Sequence, residues 1–211
     1  VQKYFEQFLK IKNNIEFIPN GLDTSIYKVY DNDKKLELKE KYNFNGINFL
    51  FVGRFTEKKG LFIIKELAKH FKNINFILAG WGYINPDDWK LANIRVISAL
   101  QGCEIAELYN ISDVLILASY GEGFPLVVQE AMACGLGVLV SNEIIKGYPK
   151  IENLIYGKIS GNINEINQSI ETLNKFLNNY QHSTARSIEL SNFAKENWDF
   201  DIISFLKQKI D

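Results

Sequence analysis

The 211-residue sequence has few of the residues that mark specialised classes of protein. Its two cysteines, Cys103 and Cys134, have neither the paired spacing of a zinc site nor the density of a secreted disulfide scaffold. The formal net charge of -1 gives no indication of a nucleic-acid surface, and a hydrophobic content of 46% gives none of intrinsic disorder. Apolar runs such as Val114 to Ala118 are far shorter than the roughly 20 residues of a membrane helix.

Histidine is equally scarce, and the N-terminus lacks the features of a secreted chain. His70 and His182 are expected at the surface, so no metal site is indicated. The residues from Val1 to Tyr4 include neither an apolar signal core nor an initiator methionine. We therefore expect a cytoplasmic chain that is a fragment of a longer protein.

What the sequence does contain is an alternation of short apolar runs with segments of helical periodicity. This alternation is typical of a parallel sheet wrapped by helices. The sequence therefore predicts an α/β fold, a Rossmann-like doubly wound parallel sheet with helices on both faces. The predicted strands are 48–52, 75–79, 94–97, 113–118 and 137–141, and the predicted helices are 31–41, 61–71, 104–111, 125–134, one within 161–180 and two within 183–210.

The loops that follow the predicted strands are the expected place for a ligand. In open parallel sheets, ligands bind outside the carboxyl ends of the strands. The loops at 53–60, 80–84, 98–103 and 119–125 should therefore line one crevice.

The first of these loops combines glycine with positive charge. It runs from Gly53 to Gly60 and carries Arg54 and Lys59 at the start of a predicted helix. Glycine lets backbone amides approach a ligand, and a helix N-terminus favours anions, so the loop suits a diphosphate. A solvated basic turn is the alternative interpretation. The loop is neither a Walker motif nor a dinucleotide fingerprint.

The second loop, 119–125, leads into a predicted helix in which Pro125 would be the first helical residue. The amides of Phe124, Leu126 and Val127 would then be free to bind phosphate or hydroxyl oxygens. Glu130 lies further along this mostly apolar helix, where either a cation or a pair of ligand hydroxyls should satisfy its carboxylate. The alternatives are an internal ion pair for Glu130 and a solvated loop carboxylate for Glu122.

The run from Glu122 to Gly135, Glu-Gly-Phe-x5-Glu-Ala-Met-Ala-Cys-Gly, resembles the E-x7-E motif of retaining glycosyltransferases of family 4. Ile18 to Asp23 is similar to the Pro-Asn-Gly-Val-Asp hinge of that family, and Val52 to Gly60 is similar to its Val-Gly-Arg loop. The resemblance implies a GT-B fold of two facing Rossmann-like domains, of which this chain is the C-terminal half.

The resemblance also implies a role for each site residue. Arg54 and Lys59 would hold the donor diphosphate, Glu130 the ribose hydroxyls, and Glu122 the sugar. The nucleotide base would lie near 101–104. The other implied donor-binding positions are Gly53, Gly102, Cys103, Gly123, Phe124, Leu126 and Val127.

Two departures from the family pattern affect this interpretation. Gly137 stands where the family usually has proline, and we expect this difference to change only rigidity. The segment from Glu143 to Pro149 lacks the usual glycine pair ahead of an acidic residue, which puts the sugar-side wall of the crevice in doubt.

We therefore predict three regions: 1–14 as a connector from a preceding acceptor domain, 15–182 as the nucleotide-sugar-binding domain, and 183–211 as helices that pack back toward the missing N-terminal domain. The predicted function is transfer of a hexose-type sugar from a UDP-sugar or GDP-sugar to a glycan or lipid-linked acceptor, without a metal or other cofactor. This fragment alone is expected to be inactive in transfer. For the full-length enzyme we expect peripheral association with the cytoplasmic face of the membrane and no nucleic-acid partner.

Two other functions agree with the same residues. One is a stand-alone nucleotide-sugar-binding module without transferase activity, or one completed by a partner subunit. The other is a GT-B-related epimerase or phosphorylase, whose chemistry would depend on residues outside this chain.

Overall fold

The described part of the chain, residues 18–98, 100, 102–181 and 183–208 of a computed structural model, forms an α/β domain. Its core is a six-stranded parallel sheet of order β3-β2-β1-β4-β5-β6, with helices on both sides. The strands are β1 (Ile47–Phe55), β2 (Ile74–Gly82), β3 (Ile94–Ile97), β4 (Val114–Leu117), β5 (Gly137–Ser141) and β6 (Gly157–Ile159). The predicted doubly wound fold is thus confirmed.

Eight α-helices lie in the described residues, and several begin or end at residues with clear capping roles. The Asp31 side chain accepts a hydrogen bond from Lys34 N at 2.8 Å and begins α1, which ends at the left-handed Asn43. The helices are α1 (Asn32–Tyr42), α2 (Leu61–His70), α3 (Cys103–Ile111), α4 (Leu126–Ala133), α5 (Asn142–Gly147), α6 (Ile166–Asn179), α7 (Thr184–Trp198) and α8 (Phe200–Gln208).

The central strands are buried on both faces, which explains their continuous apolar sequence. Every residue of β4 and β5 is buried, and so are Asn48 to Val52 in β1. The parallel register brings Gly53 of β1 beside Gly80 of β2, so the carboxyl ends of the central strands meet at one edge. The loops that were predicted to line one crevice follow the strands at this edge.

The predicted elements differ from the structure at three places. Strand β6 and helix α5 were not predicted, because three and six residues are too short for a periodicity to be recognised. Pro125 has ψ of 138° and is the N-cap of α4, so its prediction as the first helical residue was wrong. The predicted connector, 1–14, lies outside the described residues.

The two C-terminal helices contact the sheet domain at α4 and at the hinge segment, Ile18 to Asp23. Helix α7 packs on α4, and Trp198 at its end is fully buried. Between α7 and α8, Leu22 N donates to Trp198 O at 2.8 Å, and Phe200 N donates to Leu22 O at 3.0 Å. No helix in the described ranges is long and apolar enough to cross a membrane.

Gly137, at the start of β5, lies where neighbouring atoms leave no space for a side chain. A Cβ at this position would lie within 3 Å of three atoms of the Tyr156 ring. That ring in turn packs on Phe176 and Tyr180, with centroids 5.3 and 6.3 Å away. The expectation that Gly137 changes only rigidity therefore misses the aromatic ring that takes the space of a side chain.

We expect Gly137→Ala to lower the free energy of unfolding by about 1–3 kcal/mol, the usual cost of overpacking a core. Thermal and denaturant unfolding measure this change. Gly123→Ala is the matched control, since its added Cβ would meet nothing within 4 Å. Equal unfolding free energies for the two variants would contradict the packing explanation.

Candidate functional site

Loops 53–60 and 119–125 lie directly against each other at the carboxyl edge of the sheet. Tyr120 N donates to Lys58 O at 3.0 Å. Gly60 has φ of 76°, and a Cβ there would strike the Ala118 carbonyl group. Glycine at this position therefore provides both the left-handed turn and the close approach of the two loops. The basic loop and the carboxylate loop, two of the four loops predicted to line one crevice, are thus in direct contact.

Lys59 and Glu122 form an ion pair across this contact. Lys59 Nζ lies 2.5 Å from Glu122 Oε1, and the two side chains are only 18% and 17% exposed. The second oxygen, Glu122 Oε2, is buried and has no hydrogen-bond partner among the described residues. The alternative of a solvated loop carboxylate therefore does not describe Glu122. A buried carboxylate oxygen without a donor is costly, so it marks a position where a ligand hydroxyl would be stabilised.

Arg54, in the same loop as Lys59, is exposed. It is at the carboxyl end of β1, one residue after Gly53, whose φ is 152°. Its register partner in β2 is Trp81, which is also exposed. Arg54 can thus present its guanidinium to the crevice, where it would add a second positive charge beside Lys59.

The helix that follows the carboxylate loop directs its N-terminus at the same place. The amides of Leu126 and Val127 have no acceptor within α4 because they lie in its first turn. Behind them, the Phe124 ring stacks on Tyr148 with centroids 4.6 Å apart and packs against Trp198 at 5.3 Å. The Phe124 ring therefore anchors the carboxylate loop.

Helix α5 supports the carboxylate loop from the other side. The carboxylate of Glu143 accepts a hydrogen bond from Gly121 N. A Cβ at Gly147 would strike the Gly123 carbonyl group, so these two glycines are in close backbone contact. The segment from Glu143 to Pro149 lacks the usual glycine pair. It contacts the carboxylate loop instead through the carboxylate of Glu143 and the backbone of Gly147.

Glu130 has a tyrosine hydroxyl as its hydrogen-bond donor. The Tyr109 hydroxyl donates to Glu130 Oε2 at 2.8 Å. Burial raises the pKa of Glu130, although the hydroxyls of Tyr109 and Tyr27 act in the opposite direction. The prediction that only a cation or ligand hydroxyls would satisfy Glu130 was therefore wrong. None of the ion pairs in the described residues includes it.

The predicted base-binding segment lies at the N-terminus of α3. Gly102 has φ of 48°, and a Cβ there would meet nothing within 4 Å. Cys103 begins α3 and is exposed. Gln101 lies outside the described residues. Within the described ranges, no cluster of three or more histidine, cysteine, aspartate or glutamate side chains could hold a metal ion.

Three residues of the site were not found from the sequence. Tyr27 follows the hinge segment, Tyr109 lies in a predicted helix, and Glu143 lies in a segment that was judged atypical. A polar residue in an apolar helix signals that partners exist, but spacing alone does not identify them. Only the tertiary structure brings these side chains to the crevice.

A doubly wound sheet with this crevice defines the C-terminal domain of a GT-B glycosyltransferase. The chain belongs to the family Glycosyl transferases group 1, whose sequence model matches residues 31–196. An uncharacterised glycosyltransferase of Methanocaldococcus jannaschii, MJ1607, is 30% identical over 158 residues, which cover 64% of this chain and 39% of the relative. The UDP-Gal:alpha-D-GlcNAc-diphosphoundecaprenol alpha-1,3-galactosyltransferase of Escherichia coli is 31% identical over 144 residues, covering 61% of this chain and 36% of that relative.

Solved structures agree on the fold. Sucrose-phosphate synthase from Thermosynechococcus elongatus has a TM-score of 0.79 at 16% identity, covering 99% of this chain and 55% of the other. HepE from Anabaena, solved in complex with UDP and glucose, has a TM-score of 0.75 at 19% identity, covering 99% of this chain and 60% of the other. The chain thus spans 36–39% of the two curated relatives and 55–60% of these two structures.

Proposed function

We propose that this chain binds a nucleoside diphosphate sugar in the crevice and is the donor-binding half of a retaining hexosyltransferase. The observation that carries the proposal is the ion pair between Lys59 and Glu122, which joins the basic loop to the carboxylate loop at the N-terminus of α4. One cation, one carboxylate with a free oxygen and a set of helix amides meet there. These are the groups that a diphosphate linked to a sugar requires.

Lys59, Arg54 and the amides of α4 would bind the diphosphate. During transfer, the bond between the sugar and the diphosphate oxygen breaks with its electron pair moving to the diphosphate. Fixed positive charge at this position stabilises the developing anion and therefore lowers the barrier. The two cations supply this charge from the protein, so we propose donor binding without a metal ion.

Glu122 would bind the sugar. Its Oε1 pairs with Lys59, while its Oε2 has no donor within the described part of the chain. A sugar hydroxyl would provide the missing donor, and the diphosphate would share Lys59. The same ion pair thus links recognition of the two halves of the donor.

Glu130 would accept hydrogen bonds from the ribose, and the base would lie beside Gly102 and Cys103. The HepE structures contain UDP or UDP-glucose, which supports a uridine donor at a domain of this fold. The E. coli relative is named for transfer to a diphosphoundecaprenol-linked sugar. This name supports a lipid-linked acceptor, which would be held outside this chain, and peripheral association of the whole enzyme with the membrane.

The role of Glu122 is tested by calorimetry on the variant Glu122→Gln. UDP-sugars and GDP-sugars are first titrated into the unmodified chain, and the tightest donor is compared with its parent nucleoside diphosphate. We expect the variant to lose about tenfold in affinity for the sugar donor, the value of one charge-assisted hydrogen bond. Binding of the parent diphosphate should not weaken, because Lys59 loses its competing carboxylate.

Glu57→Gln is the matched control, because it removes a carboxylate from the exposed part of the basic loop. Equal losses for both ligands, or no loss for either, would show that Glu122 does not bind the sugar. The alternative function, a stand-alone binding module, predicts the same affinities of these variants for both ligands. The two functions are distinguished by whether the protein that contains this chain transfers the sugar.

A further inference from the structure

A polar pocket lies at the carboxyl edge of the sheet, beyond the ends of β4, β5 and β6, and has a volume of about 490 Å³. The sheet order places β1, which leads into the basic loop, on one side of β4 and places β5 and β6 on the other side. Among the described residues that line the pocket, none is Arg54, Lys59, Glu122 or Glu130. The pocket is therefore separate from the proposed donor site.

Three buried serines lie at the ends of the strands that border the pocket. Ser119 follows β4, Ser141 is the last residue of β5, and Ser160 follows β6. The Ser141 hydroxyl donates to Ser119 O at 2.6 Å, and the Ser160 hydroxyl donates to Glu165 Oε2 at 2.6 Å. The Ser119 hydroxyl is buried and has no partner among the described residues. Because an unpaired buried hydroxyl is costly, its retention indicates a ligand at this place.

The exposed rim of the pocket carries both donors and acceptors of hydrogen bonds. Glu143 accepts one bond from Gly121 N, and Glu165 accepts one from Ser160, so both carboxylates keep further acceptor positions. Lys146 takes part in none of the ion pairs among the described residues, so its ammonium can donate to a ligand. The rim consists of Tyr120, Asn142, Glu143, Lys146, Asn162 and Glu165.

This lining fits a neutral ligand with many hydroxyls better than it fits an anion. Two carboxylates outnumber the single lysine, so a phosphate would be repelled. Each sugar hydroxyl both donates and accepts, which matches the mixed lining. The Tyr120 ring is 44% exposed and offers an apolar surface to the C–H face of a pyranose ring. The volume lies within the range of small-ligand pockets, roughly 300–1,000 Å³.

We propose that this pocket is a second sugar-binding site, which holds one hexopyranose unit separately from the donor. Ser119, Asn142 and the two carboxylates of the rim bond to the hydroxyls of the ring, and Tyr120 packs against its apolar face. The sugar comes from one of two sources, a free monosaccharide or a unit of a glycan chain, and both present the same ring of hydroxyls. The pocket requires no nucleotide, so this site goes beyond the proposed donor binding.

An NMR titration of the 211-residue chain with glucose, galactose, N-acetylglucosamine and the methyl glycoside of each tests the proposal. We expect saturable shifts in the backbone amides of 119–120, 141–146 and 159–162, with a Kd of about 1 mM, the affinity that a few net hydrogen bonds provide. Equal binding of a sugar and its methyl glycoside identifies a unit of a glycan, because the anomeric oxygen is then free to carry a chain. Binding of the free sugar alone identifies a monosaccharide.

Ser119→Ala and Asn142→Ala are the variants, and each is expected to lose about tenfold in affinity for the sugar, the value of one or two hydrogen bonds. The Tm of Ser119→Ala should not fall, because the variant removes a buried hydroxyl that has no partner in the described part of the chain. Asn164→Ala is the matched control for Asn142→Ala, since Asn164 is also exposed but does not line the pocket. Its affinity should equal that of the unmodified chain.

The absence of saturable shifts with every sugar would overturn the proposal. So would shifts confined to 53–60 and 121–124, which would place the sugar in the proposed donor site, or unchanged affinities in both variants. A separate titration with nucleoside diphosphates decides the proposed function. Failure of the second sugar site is thus distinguished from failure of donor binding.

Discussion

Replacing Arg54 by alanine is expected to weaken the binding of UDP or GDP by about 10- to 100-fold. Arg54 is exposed near the end of β1, five positions before Lys59. A hydrogen bond to a charged group contributes roughly 1.5–3 kcal/mol, which corresponds to this range of affinities. Binding of the free nucleoside should change little, because it has no phosphate. Calorimetry at constant ionic strength measures both affinities.

Lys58→Ala is the matched control for Arg54→Ala. It removes one positive charge from the same loop, but from an exposed residue to which we assign no contact with the donor. A loss for Lys58→Ala as large as that for Arg54→Ala would mean that the loop attracts anions only through its overall charge. The assignment of Arg54 to the diphosphate would then be wrong.

Glu130→Gln is expected to raise stability and to weaken nucleotide binding at the same time. Burial raises the pKa of Glu130, so the folded chain binds this proton more readily than the unfolded chain. Stability from this group is therefore greatest at acid pH and falls as pH rises through the raised pKa. At pH 7 glutamine removes a buried charge, and the Tm should rise. The affinity for the ribonucleotide should fall tenfold or more, because a charged acceptor is lost.

Glu107→Gln is the variant for comparison, because the pKa of Glu107 is lowered whereas the pKa of Glu130 is raised. Burial acts to raise the pKa of Glu107, but Lys41 and Tyr42 outweigh it and the pKa is lowered. Its ionised form therefore stabilises the fold, and this contribution is lost as pH falls through the lowered pKa. We expect Glu107→Gln to lower the Tm at pH 7 and to leave nucleotide binding unchanged. If Glu130→Gln also lowers the Tm, then the Glu130 charge does not destabilise the fold. That result would contradict the explanation that this buried charge is retained for ligand binding.

The sheet could be predicted from the sequence because its strands are apolar on both faces. Strand β4 has four buried apolar residues in sequence, and no helical or alternating period competes with that run. Strand β6 has three residues and the dipeptide Gly157-Lys158, so its place in the sheet depends on pairing with β5. Such a short strand is defined by its neighbour rather than by its own pattern.

The composition of the site was predictable, but its internal partners were not. The glycines and charges of the two loops indicate an anion site through local chemistry alone. The ion pair of Lys59 with Glu122 depends on the approach of two loops more than 60 positions apart. Sequence spacing does not fix such a distance, and the same is true of Tyr27 beside Glu130.

The departure at Gly137 shows why family patterns need the tertiary structure. Considered alone, glycine in place of proline suggests only a change in rigidity. The structure places the Tyr156 ring against that position, so the two residues are coupled. A sequence difference at one position is thus explained by a side chain 19 positions later.

The most direct test of the central claim is an NMR titration of the 211-residue chain with its tightest nucleoside diphosphate sugar. We predict saturable shifts in the backbone amides of 53–60, 102–104, 121–124 and 126–127, at the carboxyl edge of the sheet. We predict little change at Lys69, Lys72 and Lys90, which line a separate basic cleft. Absence of saturable shifts, or shifts confined to that basic cleft, would contradict the assignment of the donor site.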